Sequence, residues 1–285
     1  MSSSILPNIR QAVDNDIDII SSFLNEAYWK HQHLDWLNPQ ELLKQVPFYL
    51  LFDRDQLVAC LSCPPSAGEN AWLRIFALRS NYTPQTVWEQ LWPSAWRRIS
   101  SLDIRSASAL ALSDWIEPIL LQSGFVRSNA VIFLEWLASD VPEVPNYPGT
   151  IRRIQESDLP AIFHLDRYAF QGIWKNTFPE LEGGFKQSAL ATLIEVDGEP
   201  IGYQFTTTSV WGGHLARLAV DPSWQGRGVG TALVTDLLRQ SMRRGFHRVT
   251  VNTQSDNPKS YSIYQKLGFK ETGDSYSVFT YRPKP

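Results

Sequence analysis

The chain has 285 residues, 43% of them hydrophobic, with a formal net charge of -3 and a pI near 6.0. This length suits two domains of about 140 residues better than one, and the charge excludes a general electrostatic attraction to nucleic acid or to an anionic membrane. No apolar run reaches the roughly 18 residues that cross a bilayer, and the first residues lack the basic and apolar stretches of a secretory signal, so we expect a cytoplasmic protein.

The first half of the chain holds both cysteines. Cys60 and Cys63 lie in an apolar predicted strand that ends at Pro64. Because this C-x-x-C has neither a second pair nor the helix start of a redox motif, we interpret it as two buried thiols. A zinc site that borrows His31 and His33 is the alternative, although zinc motifs have a different sequence context.

Three prolines between residues 141 and 149 predict an extended linker. It divides the chain into a predicted first domain, residues 1–140, and a second, residues 150–285. The two halves align with each other at a shift of about 142 residues, which brings Arg10 opposite Arg152. The sequence therefore predicts two copies of one fold.

The second copy has the clearer pattern of elements. Apolar alternation and helical spacing predict an α/β fold with a mixed sheet. In chain order the elements are a strand at Ile151, a helix over Leu159 to Ala169, a strand hairpin over Leu190 to Thr207, strand 214–220, helix 228–243, strand 247–253, helix 258–266 and a last strand through Ser277 to Tyr281.

A glycine-rich loop, Gln225-Gly226-Arg227-Gly228-Val229-Gly230, joins strand 214–220 to the next helix. Its glycines allow positive φ and bring backbone N–H groups close to a ligand at the positive end of a helix, which suits a pyrophosphate. A Walker loop would end in Gly-Lys-Ser/Thr, whereas Thr231 follows Gly230 directly, and a dinucleotide fingerprint would read Gly-x-Gly-x-x-Gly. The remaining alternative is a helix-start loop that binds nothing.

The loop resembles the acyl-CoA signature, Gln-x-x-Gly-x-Gly, of the GNAT N-acyltransferase superfamily. A second block resembles the next signature of that family, because Asn257 and Pro258 open a helix that carries Tyr264 and is followed by Gly268-Phe269. Two such blocks in order, with a strand between them, are a specific match. The resemblance implies an α/β protein of two tandem GNAT-like domains, each a mixed, mostly antiparallel sheet flanked by helices. It also implies acetyl-CoA as co-substrate and no metal ion.

The resemblance also implies how acetyl-CoA is held. The two strands that flank the loop splay apart, and the pantetheine arm pairs with the backbone of one of them as a missing strand would. The implied contacts lie at Leu218, Ala219, Val220, Gln225, Gly226, Arg227, Gly228, Val229, Gly230, Thr231, Asn257 and Tyr264. Asn257 is also a favoured helix cap, and Arg227 adds positive charge to the loop.

The implied reaction is direct attack of a primary amine on the thioester through a tetrahedral oxyanion, which backbone N–H groups near Leu218 stabilise. An amine of pKa about 10.4 must first lose a proton. His214, at the start of the same strand, is the predicted base, and Glu195 is the alternative. Tyr264 is the predicted acid at the departing sulfur; either its pKa is lowered, or it mainly hydrogen-bonds the developing thiolate. Asn252 stands where family members that acetylate N-termini often carry Glu.

The acceptor is expected to be a small-molecule or peptide amine. In the family, the first helices and their loop form that side of the site, here Phe170 to Leu181 with Trp174, Phe178, Glu180 and Glu182. Aromatic and acidic side chains suit a cation, although core packing explains the same residues. The alternative from another class of function is a non-catalytic acyl-CoA sensor or interaction module, which has little use for a proton donor at the sulfur.

The first copy has lost both signatures. Residues 83–88 stand in place of the glycine loop, where a proline removes an N–H donor and Trp88 fills space that a pyrophosphate would need. Ser113 replaces the Asn of the second block, and Leu120 replaces its Tyr. We therefore expect a catalytically inactive N-terminal copy.

Overall fold

The computed structural model describes residues 8–137 and 140–283, which form two compact units. Unit 1 is made of Met1–Ser128 and Tyr276–Pro285, and unit 2 is made of Asn129–Ser275. Within the described ranges, no helix is long and apolar enough to cross a membrane.

Both halves of the chain begin with a strand and a helix and then build a sheet. The first half forms β1 (Asn8–Gln11), α1 (Ile17–Glu26), β2 (Trp29–Gln32), α2 (Pro39–Leu43), β3 (Phe48–Asp53), β4 (Gln56–Ser62), β5 (Asn70–Trp72), β6 (Ile75–Leu78), α3 (Pro84–Ser100), β7 (Ser106–Leu110), α4 (Glu117–Gln122) and β8 (Val126–Leu137). The second half forms β9 (Thr150–Arg153), α5 (Leu159–Ala169), α6 (Phe178–Gln187), β10 (Leu190–Val196), β11 (Glu199–Ser209), β12 (Gly212–Val220), α7 (Val229–Arg243), β13 (Arg248–Gln254), α8 (Pro258–Lys266) and β14 (Lys270–Tyr281). Each element from β9 to α8 has a counterpart in the first half.

Unit 1 contains two sheets. An antiparallel sheet has the strand order β1-β3-β4-β6-β2, and a second sheet, β5-β7-β14, pairs β5 and β7 in parallel. Alternate residues of β3 face opposite sides, because side chains alternate along a strand. Leu50 packs with α1 and α2 in one core, and Leu51 packs with Trp88 of α3 in the other. Helices therefore cover both faces.

Unit 2 has the strand order β8-β13-β12-β11-β10-β9, in which only β12 and β13 run parallel. α5 and α6 cover one face, where Ile162 and Leu181 pack on Tyr203. α7 and α8 cover the other face, where Leu237 packs with Tyr264. This mixed, mostly antiparallel arrangement confirms the predicted α/β class and the predicted repeat.

The repeat extends to single interactions. Arg10 forms a bidentate ion pair with Asp16 at 2.7 and 2.6 Å, and Arg152 forms one with Asp158 at 2.7 and 2.9 Å. In both copies the carboxylate also accepts a hydrogen bond from the backbone N–H three residues earlier, at 2.8 and 2.7 Å. The same charged link therefore joins the first strand of each copy to its first helix.

Each unit takes its last strand from the other half of the chain. In unit 2, β13 pairs with residues 131–137 of β8, and in unit 1, β7 pairs with residues 278–281 of β14. The predicted limits, residues 1–140 and 150–285 with a linker at 141–149, follow the repeat along the chain. As folding units, those limits stay a prediction.

The two cysteines are free and buried, as predicted. Cys60 faces the core under α1 and α2, whereas Cys63 faces the core under α3 and α4. Burial raises the pKa of Cys60 to about 12 and lowers the pKa of His31 to about 4 and that of His33 to about 3. Across the described ranges, no group of three or more His, Cys, Asp or Glu side chains is placed to hold a metal ion, so the zinc alternative has no ligand set there.

Candidate active site

The two strands that flank the glycine loop separate within unit 2. β12 pairs with β11 along its whole length, but pairs with β13 only from Gly213 to Leu215. A bulge in the β11 pairing follows at once, at Ala216, and redirects the strand. Residues 216–220 therefore have no strand partner on the β13 side among the residues described.

Leu218 and Val220 turn their main-chain groups toward that free side. The Asp221 N–H donates to the carbonyl of Ile201 on β11 at 2.9 Å, and main-chain groups of an antiparallel strand alternate between its two sides. The backbone of Ala219 therefore faces β11, and its side chain is buried beside α5. Leu218, Ala219 and Val220 are the three residues predicted to pair with a pantetheine arm. Of these, Leu218 and Val220 direct their main-chain groups to the unpaired edge.

The three glycines of the loop have different surroundings. Gly226 has a φ of 76°, and a Cβ added there would meet nothing within 4 Å. Gly228 has a φ of 83°, and a Cβ there would lie 2.7 Å from the carbonyl oxygen of Asn146. Gly230 lies inside α7, where a Cβ would approach Ile263 of α8 to 3.0 Å. Gly226 thus lies in open space, while Gly228 and Gly230 allow the close approach of Asn146 and Ile263.

The loop and the start of α7 form a positively charged surface. The first turn, Val229–Thr231, has N–H groups without helical acceptors and no acidic side chain. Lys259 Nζ donates to Gln225 Oε1 at 2.9 Å, and the Arg227 guanidinium lies 4.9 Å from the centre of the Trp224 ring. These groups suit a pyrophosphate. Lys259 was not predicted from the sequence, although it belongs to the second signature block.

Asn257 caps α8 in the way its sequence position predicts. Its Oδ1 accepts a hydrogen bond from the Ser260 N–H at 3.2 Å, and its Nδ2 donates to Gln254 Oε1 at 3.1 Å. Pro258 occupies the first helical position, where its missing N–H costs nothing. The cap fixes the direction of the helix that carries Tyr264.

Tyr264 lies on the inner face of α8, where it is 3% exposed and its ring centre is 5.6 Å from that of Phe269. Burial raises the pKa of its hydroxyl, and no charged neighbour opposes the shift. The hydroxyl is therefore a neutral hydrogen-bond donor at physiological pH. Of the two options predicted for Tyr264, the lowered pKa is wrong, and a hydrogen bond to the developing thiolate remains.

His214 is held by a chain of two hydrogen bonds. Its Nδ1 lies 2.9 Å from the Thr250 hydroxyl oxygen, and that hydroxyl donates to the carbonyl of Gly213 at 3.4 Å. When the one hydrogen of the hydroxyl is directed to Gly213, Nδ1 is the donor to Thr250, and the lone pair of Nε2 is free to accept a proton. Burial lowers the pKa of His214, which favours this neutral form at pH 7.

The other two polar positions are placed differently. Glu195 Oε2 accepts a hydrogen bond from Arg152 Nε at 2.7 Å, and β11 separates its strand, β10, from β12. This ion pair favours a structural role for Glu195 over that of the base. Asn252 lies opposite Phe133 of β8 and two residues beyond Thr250, so it shares the sheet face of Thr250.

Residues 154–269, which contain β12, the glycine loop and α8, match the acetyltransferase (GNAT) family. The matched segment lies within unit 2, and it is called the GNAT domain below. The ribosomal protein bS18-alanine N-acetyltransferase of Escherichia coli K12 is 28% identical to this chain over 124 residues, which cover 43% of this chain and 82% of that enzyme. An uncharacterized N-acetyltransferase of Methanocaldococcus jannaschii is 26% identical over 144 residues, which cover 43% of this chain and 61% of that protein.

Solved GNAT structures extend the likeness to the whole chain. A tandem GNAT protein from the clavulanic acid biosynthesis pathway matches 98% of this chain and 99% of its own, with a TM-score of 0.66 and 16% identity. A GCN5-related N-acetyltransferase from Sphaerobacter thermophilus matches 98% of this chain and 97% of its own, with a TM-score of 0.60 and 16% identity. These likenesses concern the fold, and they confirm the predicted tandem arrangement.

On the predicted acceptor side of the GNAT domain, the two acidic residues interact with neighbouring groups of α6 and its cap. Glu180 accepts a hydrogen bond from the Thr177 N–H at 2.8 Å and so caps α6, and Glu182 pairs with Lys186 at 3.0 Å. The ring of Phe178, which is 38% exposed, stands edge-on to Phe163 at 5.5 Å. The two carboxylates therefore bind partners at α6, and Glu182 is still 34% exposed, close to the 38% of Phe178.

Sequence reasoning missed a buried polar cluster on this same side of the sheet. Arg217 of β12, Asp166 of α5 and Tyr203 of β11 are joined by hydrogen bonds. An arginine inside the apolar run 215–220 was the available signal, because a charge is rarely buried without a partner. The partner, Asp166, lies 51 residues earlier in the chain, and the sequence does not reveal that contact.

The corresponding place in unit 1 is filled by the chain itself. β6 is the counterpart of β12, and its edge is paired with β2, which sets His31 opposite Phe76. Trp88 is buried against Phe76, with ring centres 5.1 Å apart. α3 begins at Pro84 without a glycine in the turn before it. The edge and the loop that the GNAT domain leaves open are therefore both closed in unit 1, which supports an inactive N-terminal copy.

Proposed function

We propose that this protein transfers an acetyl group from acetyl-CoA to the primary amine of a small molecule or peptide, and that unit 2 performs the reaction. The observation that carries the proposal is the unpaired edge of β12 at Leu218 and Val220, which leads directly into the open glycine loop. An extended arm with a pyrophosphate at one end fits this pairing of an edge and an anion site. Family membership of residues 154–269 supports the same chemistry.

The residues of unit 2 then have distinct tasks. The loop N–H groups with Arg227 and Lys259 hold the pyrophosphate, and the edge of β12 holds the arm. The Leu218 N–H stabilises the oxyanion that forms when the amine nitrogen bonds to the thioester carbon. His214 Nε2 accepts the proton that the amine loses, directly or through water. When the carbon–sulfur bond breaks, the Tyr264 hydroxyl hydrogen-bonds the departing thiolate.

A peptide amine is the acceptor that we place first. The Escherichia coli relative acts on an alanine of a ribosomal protein, and the likeness covers 82% of that enzyme. Asn252 stands in place of the Glu expected of family members that acetylate N-termini. The experiment therefore also includes small amines. The acidic residues near α6 are engaged in capping and pairing, which favours an uncharged recognition surface over a polycation site.

The experiment is a CoA-release assay with acetyl-CoA and three acceptor groups: peptides with an N-terminal alanine, polyamines and aminoglycosides. We expect turnover with at least one of them and saturable binding of acetyl-CoA by calorimetry. Binding without CoA release for any amine would support the sensor alternative. Absence of binding at millimolar acetyl-CoA would refute both functions.

A further inference from the structure

The guanidinium of Arg217 joins separate elements of unit 2. Its Nε and Nη2 donate to the two carboxylate oxygens of Asp166 on α5 at 2.8 and 2.7 Å, and Nη2 also donates to the carbonyl of Trp174 at 2.9 Å. The Tyr203 hydroxyl donates to the same carboxylate. The Arg217 side chain is 12% exposed and that of Asp166 is fully buried, so the pair is shielded from water and rigidly oriented.

This cluster grips the loop that connects α5 to α6, residues 170–177. The loop is held through the Trp174 carbonyl and again through Phe170, because the Arg217 guanidinium lies 3.5 Å from the centre of the Phe170 ring. A planar guanidinium can make both contacts and the bidentate pair at once, whereas an ammonium group cannot. One side chain of β12 therefore contacts the loop at two of its residues.

Arg217 is also the immediate neighbour of Leu218 on β12. Its backbone lies in β12, the strand with the free edge, and its side chain extends from the sheet face that α5 covers. A buried ion pair adds little net stability relative to apolar packing, but it fixes geometry because only one arrangement satisfies all its partners. A need to hold loop 170–177 in one position would explain why the protein buries this ion pair despite the desolvation free energy.

We propose that Arg217 is a positioning residue for the acceptor: it fixes loop 170–177 over the face of β12 beside Leu218, and so sets the affinity for the amine substrate. This inference rests on the proposed acetyl transfer, since it assigns the loop to the acceptor side of that site. The proposed coenzyme site lies at the free edge of β12 and at the glycine loop, away from the Arg217 side chain. The affinity for acetyl-CoA should therefore not depend on Arg217.

The test compares Arg217→Lys with Arg152→Lys in the full-length chain. Arg152 is a matched control, because it also makes a bidentate pair, with Asp158, in the same unit, but its hydrogen bonds go to Asp158, Glu195 and Arg153 and none goes to loop 170–177. One readout is hydrogen–deuterium exchange of the loop, which needs no turnover. The other is kinetics with acetyl-CoA and a hexapeptide that begins with alanine.

In Arg217→Lys we expect amides of residues 170–177 to exchange about tenfold faster, the peptide KM to rise about tenfold, and kcat and the acetyl-CoA Kd to change less than about threefold. Arg152→Lys should change none of these. Should Arg217→Lys fail to fold, Asp166→Asn weakens the same cluster without changing its volume and should move both readouts in the same direction.

Loop exchange that is equal in the two variants would overturn the inference, whether or not the wild type acetylates the peptide. Faster exchange with an unchanged peptide KM would also overturn it, because the loop would then not contact the acceptor. Parallel losses of peptide and acetyl-CoA affinity would indicate a general structural role. A wild type that releases no CoA with any amine refutes the proposed function and, with it, the acceptor assignment.

Discussion

Tyr264 illustrates how burial decides the role of a single side chain. A hydroxyl whose pKa is raised cannot release its proton readily, but it can donate a hydrogen bond that strengthens as charge develops on sulfur. We therefore expect Tyr264→Phe to lower kcat about 100-fold. The acetyl-CoA Kd, measured by calorimetry, should stay within about twofold, because the bond forms mainly in the transition state.

Tyr261→Phe is the matched control for Tyr264→Phe. Tyr261 lies one turn earlier on α8, and its hydroxyl is bonded to Glu271 at the surface. Its removal should leave turnover close to that of the wild type. Equal losses of kcat and coenzyme affinity in Tyr264→Phe would contradict the role at the sulfur.

His214 gives the protein an expected pH dependence. Its pKa lies below 6.5, so the neutral imidazole that accepts a proton persists into mildly acidic solution. We expect kcat/KM to stay level as the pH falls from about 8 to about 6.5, and to decline only below that value. In His214→Ala this acidic limb should disappear from the pH–rate profile, and an unchanged limb would exclude His214 as the base.

Thr250 tests the tautomer assigned to His214. Thr250→Val removes the acceptor of the Nδ1 proton, so the proton can move to Nε2 and block the base, whereas Thr250→Ser keeps the hydroxyl. We expect about tenfold lower kcat/KM in the valine variant and near wild-type values in the serine variant. Equal values in the two variants would show that Thr250 does not orient the imidazole.

At the scale of the element, Gly226 of the glycine loop is a position where a charge can be added without disturbing the packing. A side chain at Gly226 meets no other atom, and both Asn and Asp tolerate its positive φ better than other residues. Gly226→Asp adds a negative charge where the pyrophosphate would lie, and Gly226→Asn adds the same volume without charge. We expect calorimetry to show at least tenfold weaker acetyl-CoA binding in the Asp variant than in the Asn variant, with similar melting temperatures.

The loss of affinity in Gly226→Asp should depend on the salt concentration. High salt should reduce the difference between the two Gly226 variants, because the residue is exposed and its charge is screened. Equal affinities in low salt would mean that the coenzyme phosphates bind elsewhere. The same comparison at Gly230 would be uninformative, since a Cβ there approaches Ile263 and disturbs the packing of α7 on α8.

At the scale of the whole molecule, two copies of one fold differ in whether the edge of the central strand is open. In unit 1, β2 pairs with β6 and Trp88 lies behind it, whereas in unit 2 the equivalent edge of β12 is free after Leu215. We therefore expect one acetyl-CoA to bind per chain in a calorimetric titration of the wild type. Gly226→Asp should weaken that single site, and a second site of comparable affinity would contradict a closed first copy.

The local sequence determined the fold class, the repeat, the glycine loop before α7 and the cap of α8 by Asn257. These features depend on hydrophobic periodicity and on backbone conformations that few residues adopt, and both are properties of neighbouring positions. The loss of the first glycine loop was visible for the same reason, because Pro84 and Trp88 stand where glycines would be needed.

The tertiary structure alone decided which groups meet. The pairing of β2 with β6, the exchange of β8 and β14 between the units, and the contact of Arg217 with Asp166 all join residues that are distant in the chain. The burial that raises the pKa of Tyr264 and lowers that of His214 likewise comes from packed layers. Residue type sets what a side chain can do, but only its surroundings in the fold set its partners, its exposure to water and therefore its protonation.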